Sequence, residues 1–310
     1  MIWHKIQGAG GTDGGITSFL GPRGVFAGGA TDYKASFLTN AIDYVTIATT
    51  GNATSFGTMT SASFHRAGAS NGSRGVMAAG STASTTFISS IDYVTIATTG
   101  NASNFGNATA ARNTRGISNV TRGVFASGYG GSDVNVIDYV TIATTGNASD
   151  FGDAYTYRSY TGTLASETRG VMAGGSASGG QLSNVIQYLT IDTTGNTVDF
   201  GDLTASTSDA SGVSDLSRGV VFHTTKIDYI TIATTGNASS FGNIYSGGST
   251  ASFGHGVSDG TRGVVCGGYT SDGLDMSNII QYITIATLGN STYFGDSTSK
   301  RYSATAFSGI

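Results

Sequence analysis

The sequence predicts an all-β chain built from six repeats that close into a ring, and three observations carry that expectation. The phrase IDYVTIATTGNASDFG, residues 137–152, recurs as near-copies beginning at Ile42, Ile91, Ile186, Ile227 and Ile280. Arg-Gly-Val recurs in step with it, at Arg23, Arg74, Arg122, Arg169, Arg218 and Arg262, with gaps of 51, 48, 47, 49 and 44 residues. No window has sustained helical periodicity, and the repeated runs are β-branched and aromatic, which favours strands. A period of this length marks supersecondary units that bury their faces only against their neighbours.

Residues 1–22 precede the first repeat and hold the only tryptophan, Trp3, and the only proline, Pro22. They are read as an N-terminal arm or attachment segment. Each repeat then reads as four short strands. The first is Arg-Gly-Val-Phe-Ala-Gly-Gly, as at Arg23 to Gly29, a short apolar run closed by glycine. The second is Ile-Asp-Tyr-Val-Thr-Ile, as at Ile42 to Ile47. Thr-Thr-Gly-Asn follows as a turn, and Gly-Asn tolerates the positive φ that a hairpin demands. The third strand carries Phe-Gly, and a weaker fourth fills the interval before the next Arg-Gly-Val, as at Gly116 to Val120. The second strand has apolar residues on both faces, Ile42 and Tyr44 on one and Val45 and Ile47 on the other. A small sheet packed on both sides fits radial stacking, so residues 23–310 are read as a six-bladed β-propeller of four-stranded blades. From Arg23 to Ile310 there are 288 residues, six times 48. Closure by the C-terminal strand, within Arg301 to Ile310, is expected, with Gly15 to Ser18 as the competing candidate for the same slot.

The repeat resembles the kelch repeat: a glycine pair (Gly28-Gly29), a tyrosine strand (Tyr44), a polar turn (Thr49 to Asn52), an aromatic (Phe56) and a later arginine (Arg66). It departs from that pattern in three ways. Phenylalanine stands where the family usually has tryptophan, at Phe56, Phe105, Phe151, Phe200, Phe241 and Phe294. The glycine pair is imperfect at Ala79-Gly80 and Ser127-Gly128 and absent at Val221-Phe222-His223. The later arginine, present at Arg66, Arg112, Arg158 and Arg301, is missing from the fourth and fifth repeats. The wording of the repeat is also similar to that of tail-fibre-like virion proteins of marine and cyanobacterial phages.

Composition narrows the function. Charged residues are 11% and the formal charge is −4, so no basic face points to nucleic acid. No apolar run is long enough for a membrane span or a signal peptide. The four histidines, His4, His65, His223 and His255, show no metal-ligand spacing, and the single cysteine, Cys266, lies in a strand pattern as a small buried residue. No nucleophile or phosphate-binding motif is present, so neither catalytic residues nor a cofactor or metal is expected.

Blades of four strands send alternate loops to opposite faces. The Thr-Thr-Gly-Asn turns barely vary, whereas the links on the other face diverge strongly, and divergent loops on a rigid scaffold are where recognition sits. That face is expected to carry Tyr33, Tyr129, Tyr155, Tyr157, Tyr160, Tyr245 and Tyr269 as ligand-contacting aromatics. The second-strand acids Asp43, Asp92, Asp138 and Asp228, with Gln187 and Gln281 completing six, are read as structural hydrogen-bond acceptors. The resemblance implies a non-enzymatic virion component that recognises a host-surface glycan or protein receptor, joins other virion proteins through its arm and forms a homo-oligomer. A structural virion component or interaction scaffold without receptor binding is the alternative.

Overall fold

The computed structural model describes residues 19–32, 35–156, 158–177, 180–245, 254–269 and 275–310. Among these, every regular element is a strand, and six antiparallel sheets form a six-bladed β-propeller. Tyr33 and Tyr157 lie outside the described residues.

The blades are offset from the sequence repeat by one strand. The weak interval strand pairs with the Arg-Gly-Val strand that follows it, as Ala67–Ser70 pairs with Arg74–Ala78. It is the innermost strand of its blade: successive innermost strands contact one another around the ring, from Ala67–Ser70 through Asn113–Ser118 to Thr305–Gly309. The first Arg-Gly-Val strand, Arg23–Ala27, takes its inner partner from the C-terminus, with Arg23 opposite Gly309 and Ala27 opposite Thr305. Closure therefore places the last strand beside the first within one blade and leaves no open seam.

The core lies between blades. Ile42 packs in one apolar cluster with Val94 and Ile96 of the next blade, whereas Val45 and Ile47 pack in another with Val257 and Phe294 of the preceding one. This two-sided burial is why the second strand carries apolar residues on both faces. Each second-strand tyrosine meets the Phe of its own third strand edge-on, from Tyr188–Phe200 at 5.9 Å to Tyr229–Phe241 at 6.2 Å. Phenylalanine fits this place because the ring has an edge-to-face partner and an apolar seat.

Each blade is clasped to the next on the face of the Thr-Thr-Gly-Asn turns. The Arg-Gly-Val arginine lies over its own blade's tyrosine and donates to carbonyls at the end of the next blade's second strand. Arg74 sits 4.6 Å from the Tyr93 ring centre and reaches the Ile142 and Ala143 oxygens at 3.0 and 2.8 Å. Arg262 closes the ring in the same way on Ile47 and Ala48. In return each turn asparagine accepts from the outer strand of the preceding blade, as Asn101 Oδ1 does from the Thr58 amide at 3.1 Å. The Phe-Gly glycine makes this approach possible: a Cβ on Gly57 would lie 2.1 Å from the Gly100 oxygen. The turn asparagines are thus explained by packing.

Candidate ligand-binding site

The second-strand Asp/Gln ring is buried, and its chemistry is settled locally. Arg66, Arg112 and Arg301 form ion pairs with Asp92, Asp138 and Asp43 inside their own blades, at 2.8 and 3.1 Å for the first two. Arg66 also donates to the Met77 and Ser90 oxygens, both at 2.7 Å, capping the carbonyls where two strands part. Burial lowers the pKa of Arg66, with Asp92 acting in the other direction, and burial brings Arg301 down to about 10, still protonated at neutral pH.

The two departures at the fifth and sixth blades now have a physical reason. Asp228 has no arginine, and His223 stands where the glycine pair would be, with its Nε2 3.1 Å from the carboxylate. Burial raises the Asp228 pKa, but bonds from His223 and Thr204 outweigh it and hold the carboxyl below its usual range. Gln281 also lacks an arginine and is neutral, so it needs none.

Two further positions change together with this ring. Where the ring residue is Asp, Thr60, Thr109, Thr204 or Thr298 of the preceding link donates to it. Where it is Gln, that position is Tyr155 or Tyr245, and the residue after the turn Gly-Asn changes from Ala to Thr197 or Ser291, whose hydroxyl lies 2.6 Å from the Gln oxygen. The Tyr155 and Tyr245 amides donate to those same hydroxyls, at 2.6 and 2.7 Å. The tyrosine side chains are thereby released from the ring, and Tyr155 is 65% exposed.

The described tyrosines do not form one cluster. Tyr245 lies 6.4 Å from Tyr293, Tyr129 stands edge-on to Phe87 at 5.7 Å, and Tyr269 stacks on Tyr302 at 5.0 Å. Tyr160 turns inward with a positive φ of 62° and packs 4.9 Å from His65. Tyr155 alone of the described set stands out as a bare ring.

What the sequence reading missed is the set of side chains that line the channel and its mouth. The channel lining is small, because neighbouring inner strands approach closely: a Cβ on Gly116 would lie 2.0 Å from the Gly68 oxygen. At the turn face the channel is capped by the arm, where Phe19 is buried against Ile117 and Val124 and accepts a bond from Ser70 at 3.2 Å. At the variable face it widens into a polar cavity of about 90 Å³ lined by Arg115, Ser211, His255 and Thr305. Nine residues before successive Arg-Gly-Val arginines stand His65, Asn113, Tyr160 and Asp209, and seven before stand Ala67, Arg115, Gly162, Ser211 and His255. Each ring of the mouth is therefore one repeat position filled with unlike side chains. That signal was in the sequence, but the strand carrying it was the weakest and its alignment was masked by unequal links.

The mouth is electrostatically coupled. Burial lowers the Arg115 pKa, while Asp209 and Tyr160 raise it. Burial holds His65 and His255 well below the usual imidazole range, and Arg115 adds to both effects. Burial pushes the Asp209 carboxyl up to about 6 against the pull of Ser208 and Arg115. Among the described residues no three His, Cys, Asp or Glu side chains are grouped to hold a metal ion. Cys266 is buried, and burial pushes its thiol up to about 12, so it is a poor nucleophile.

Comparison with protein-family models and with curated proteins finds no match to this chain.

Proposed function

We propose that the chain is a non-enzymatic recognition module that engages a cell-surface glycan with its variable face, as part of a virion appendage. The difference between the two faces carries this reading. The six turns on one face are all seven residues long between strands, as from Ile47 to Ala53 and from Ile142 to Ala148. On the other face, the link after the Arg-Gly-Val strand has two residues in the fifth blade, Thr224 and Thr225, and twelve in the sixth, Gly267 to Asn278. Variation confined to one face of a rigid disc is what a binding surface requires. The virion setting, the receptor partner and a homo-oligomeric state are supported by the resemblance of the repeat wording. Multivalent presentation would raise weak single contacts to useful avidity.

The test is binding of the purified chain to host cells or a glycan array. Tyr155→Ala and Tyr245→Ala are expected to weaken binding about tenfold each, the loss for one aromatic contact worth roughly 1–2 kcal/mol. Binding that survives both, yet is lost on substitution of Leu288 in a turn of the opposite face, would overturn the assignment. Light scattering that returns a monomer at all concentrations would remove the homo-oligomer from the reading.

A further inference from the structure

The polar cavity at the channel mouth has features that the recognition of neutral sugars by exposed tyrosines does not use. Arg115 and Thr305 are 7% and 1% exposed, and Ser211 is 4% exposed. Arg115 Nη2, Ser211 Oγ, Thr305 Oγ1 and His255 Nε2 are buried atoms with no hydrogen-bond partner among the described residues. All four residues line the same cavity. Buried polar groups are nearly always satisfied, so unsatisfied ones on residues that line one polar space call for partners there, from water or from a ligand that displaces it. Three of the four groups, a guanidinium and two hydroxyls, are donors, and neutral imidazole can donate from Nε2, so the complementary ligand is an acceptor.

We propose that this cavity binds a carboxylate group, seated on Arg115 and bonded by Ser211, Thr305 and His255. Charge selects the class. Arg66, the other arginine at the cavity, is already paired with Asp92 at 2.8 Å, so Arg115 is the cation available to a ligand. Asp209 interacts with Arg115, so its charge opposes any anion here, and it opposes a doubly charged phosphate or sulfate more than a singly charged carboxylate. A volume of about 90 Å³ admits the acid group of a larger molecule and leaves the rest of that molecule on the variable face. On the recognition reading, the ligand is then an acidic sugar, its carboxylate in the channel mouth and its ring among the loops. This step rests on that reading for the ligand's origin, whereas the anion site stands independently of it.

The experiment is a titration of the full ¹⁵N-labelled chain with sodium acetate, sodium glucuronate, glucose and sodium sulfate, following the Arg115 side-chain Nε–H and His255 ring signals. Acetate and glucuronate are expected to produce saturable shifts of both signals, and glucose none. Arg115→Gln should weaken acetate about tenfold or more, the loss of a charge-assisted bond, and Ser211→Ala a few-fold. The wild-type titration decides the matter even if Arg115→Gln does not fold. Failure of both carboxylates to move the signals, or tighter binding of sulfate, would overturn the site. Glycan binding that persists with a silent cavity would leave the recognition reading standing and the carboxylate site rejected. A cavity that takes acetate, in a chain that binds no glycan or cell, would leave the carboxylate site standing and the recognition reading rejected.

Discussion

The two faces of this disc solve opposite problems with the same strands. On the turn face, arginines, asparagines and six equal turns repeat one interface, with each clasp bonded to the backbone of a neighbouring blade. On the variable face, repeat-equivalent positions carry His65, Asn113, Tyr160 and Asp209, and several buried polar atoms have no hydrogen-bond partner among the described residues. Uniformity serves closure, because a ring is only as strong as its weakest interface. Diversity at one end of the channel costs stability and is tolerable because the other end holds the ring together. Real proteins break local rules at functional sites, which is why the channel mouth is a better candidate for function than the well-packed turns.

The comparison is most sharply tested at the buried ion pairs between the two faces. Arg66→Ala strands the Asp92 carboxylate in the interior, and a loss of about 3–5 kcal/mol in unfolding free energy by denaturant titration is expected. Installing the neutral set found in the fourth and sixth blades, Asp92→Gln with Thr60→Tyr and Ala102→Thr, should make Arg66→Ala much less costly. An equal loss in both backgrounds would show that the three positions are not one unit.

Asp209 tests whether the variable face carries a stability cost. Its folded pKa, about 6, lies above its ordinary 3.8, so the folded state favours the protonated form. The cost is absent below pH 3.8, grows as pH rises toward 6, and is constant above, reaching about 3 kcal/mol. Asp209→Asn should remove that part of the pH dependence in thermal melts. His65 and His255 act in the opposite direction: because burial keeps them neutral, the stability they hold above pH 6.5 is lost as pH falls below it.

On the turn face, Arg74→Ala removes two carbonyl contacts and the stack on Tyr93, and a loss of about 2 kcal/mol is expected by denaturant titration. A similar loss at Arg122 or Arg218 would confirm that the interfaces are equivalent, and one outlier would locate the weak seam. The smallest stability effect is expected at Tyr155, where the side chain is 65% exposed: Tyr155→Ala should change stability by less than about 0.5 kcal/mol while weakening ligand binding. A large loss of stability there would mean that Tyr155 belongs to the scaffold.

Much of this fold was legible in one dimension. The recurrence of Arg-Gly-Val and Ile-Asp-Tyr-Val-Thr-Ile fixes blade number and the two main strands of each blade, since each phrase meets the same environment six times, whereas the strand that closes the ring was chosen between two candidates only by the pairing of Arg23–Ala27 with Thr305–Gly309. That Gln can replace Asp in the ring suggested hydrogen-bond acceptors, but the buried ion pairs of Asp43, Asp92 and Asp138 with arginine were not legible. Thr60 reaches Asp92, and Arg301 reaches Asp43, across distances in sequence that only the stacked blades bring together.

The channel mouth was the least legible part. Arg115, Ser211, His255 and Thr305 come from four different repeats, and each alone reads as an ordinary polar residue before a weak strand. Sequence by itself determined the repeating unit and which loops vary, because those depend on local pattern and on identical neighbours. Tertiary structure alone decided that the weak strand is innermost, that Phe19 caps one end of the channel, and that unlike side chains at one repeat position face a common cavity. The physical reason is that ring closure converts an ordinal position along the chain into a shared place in space.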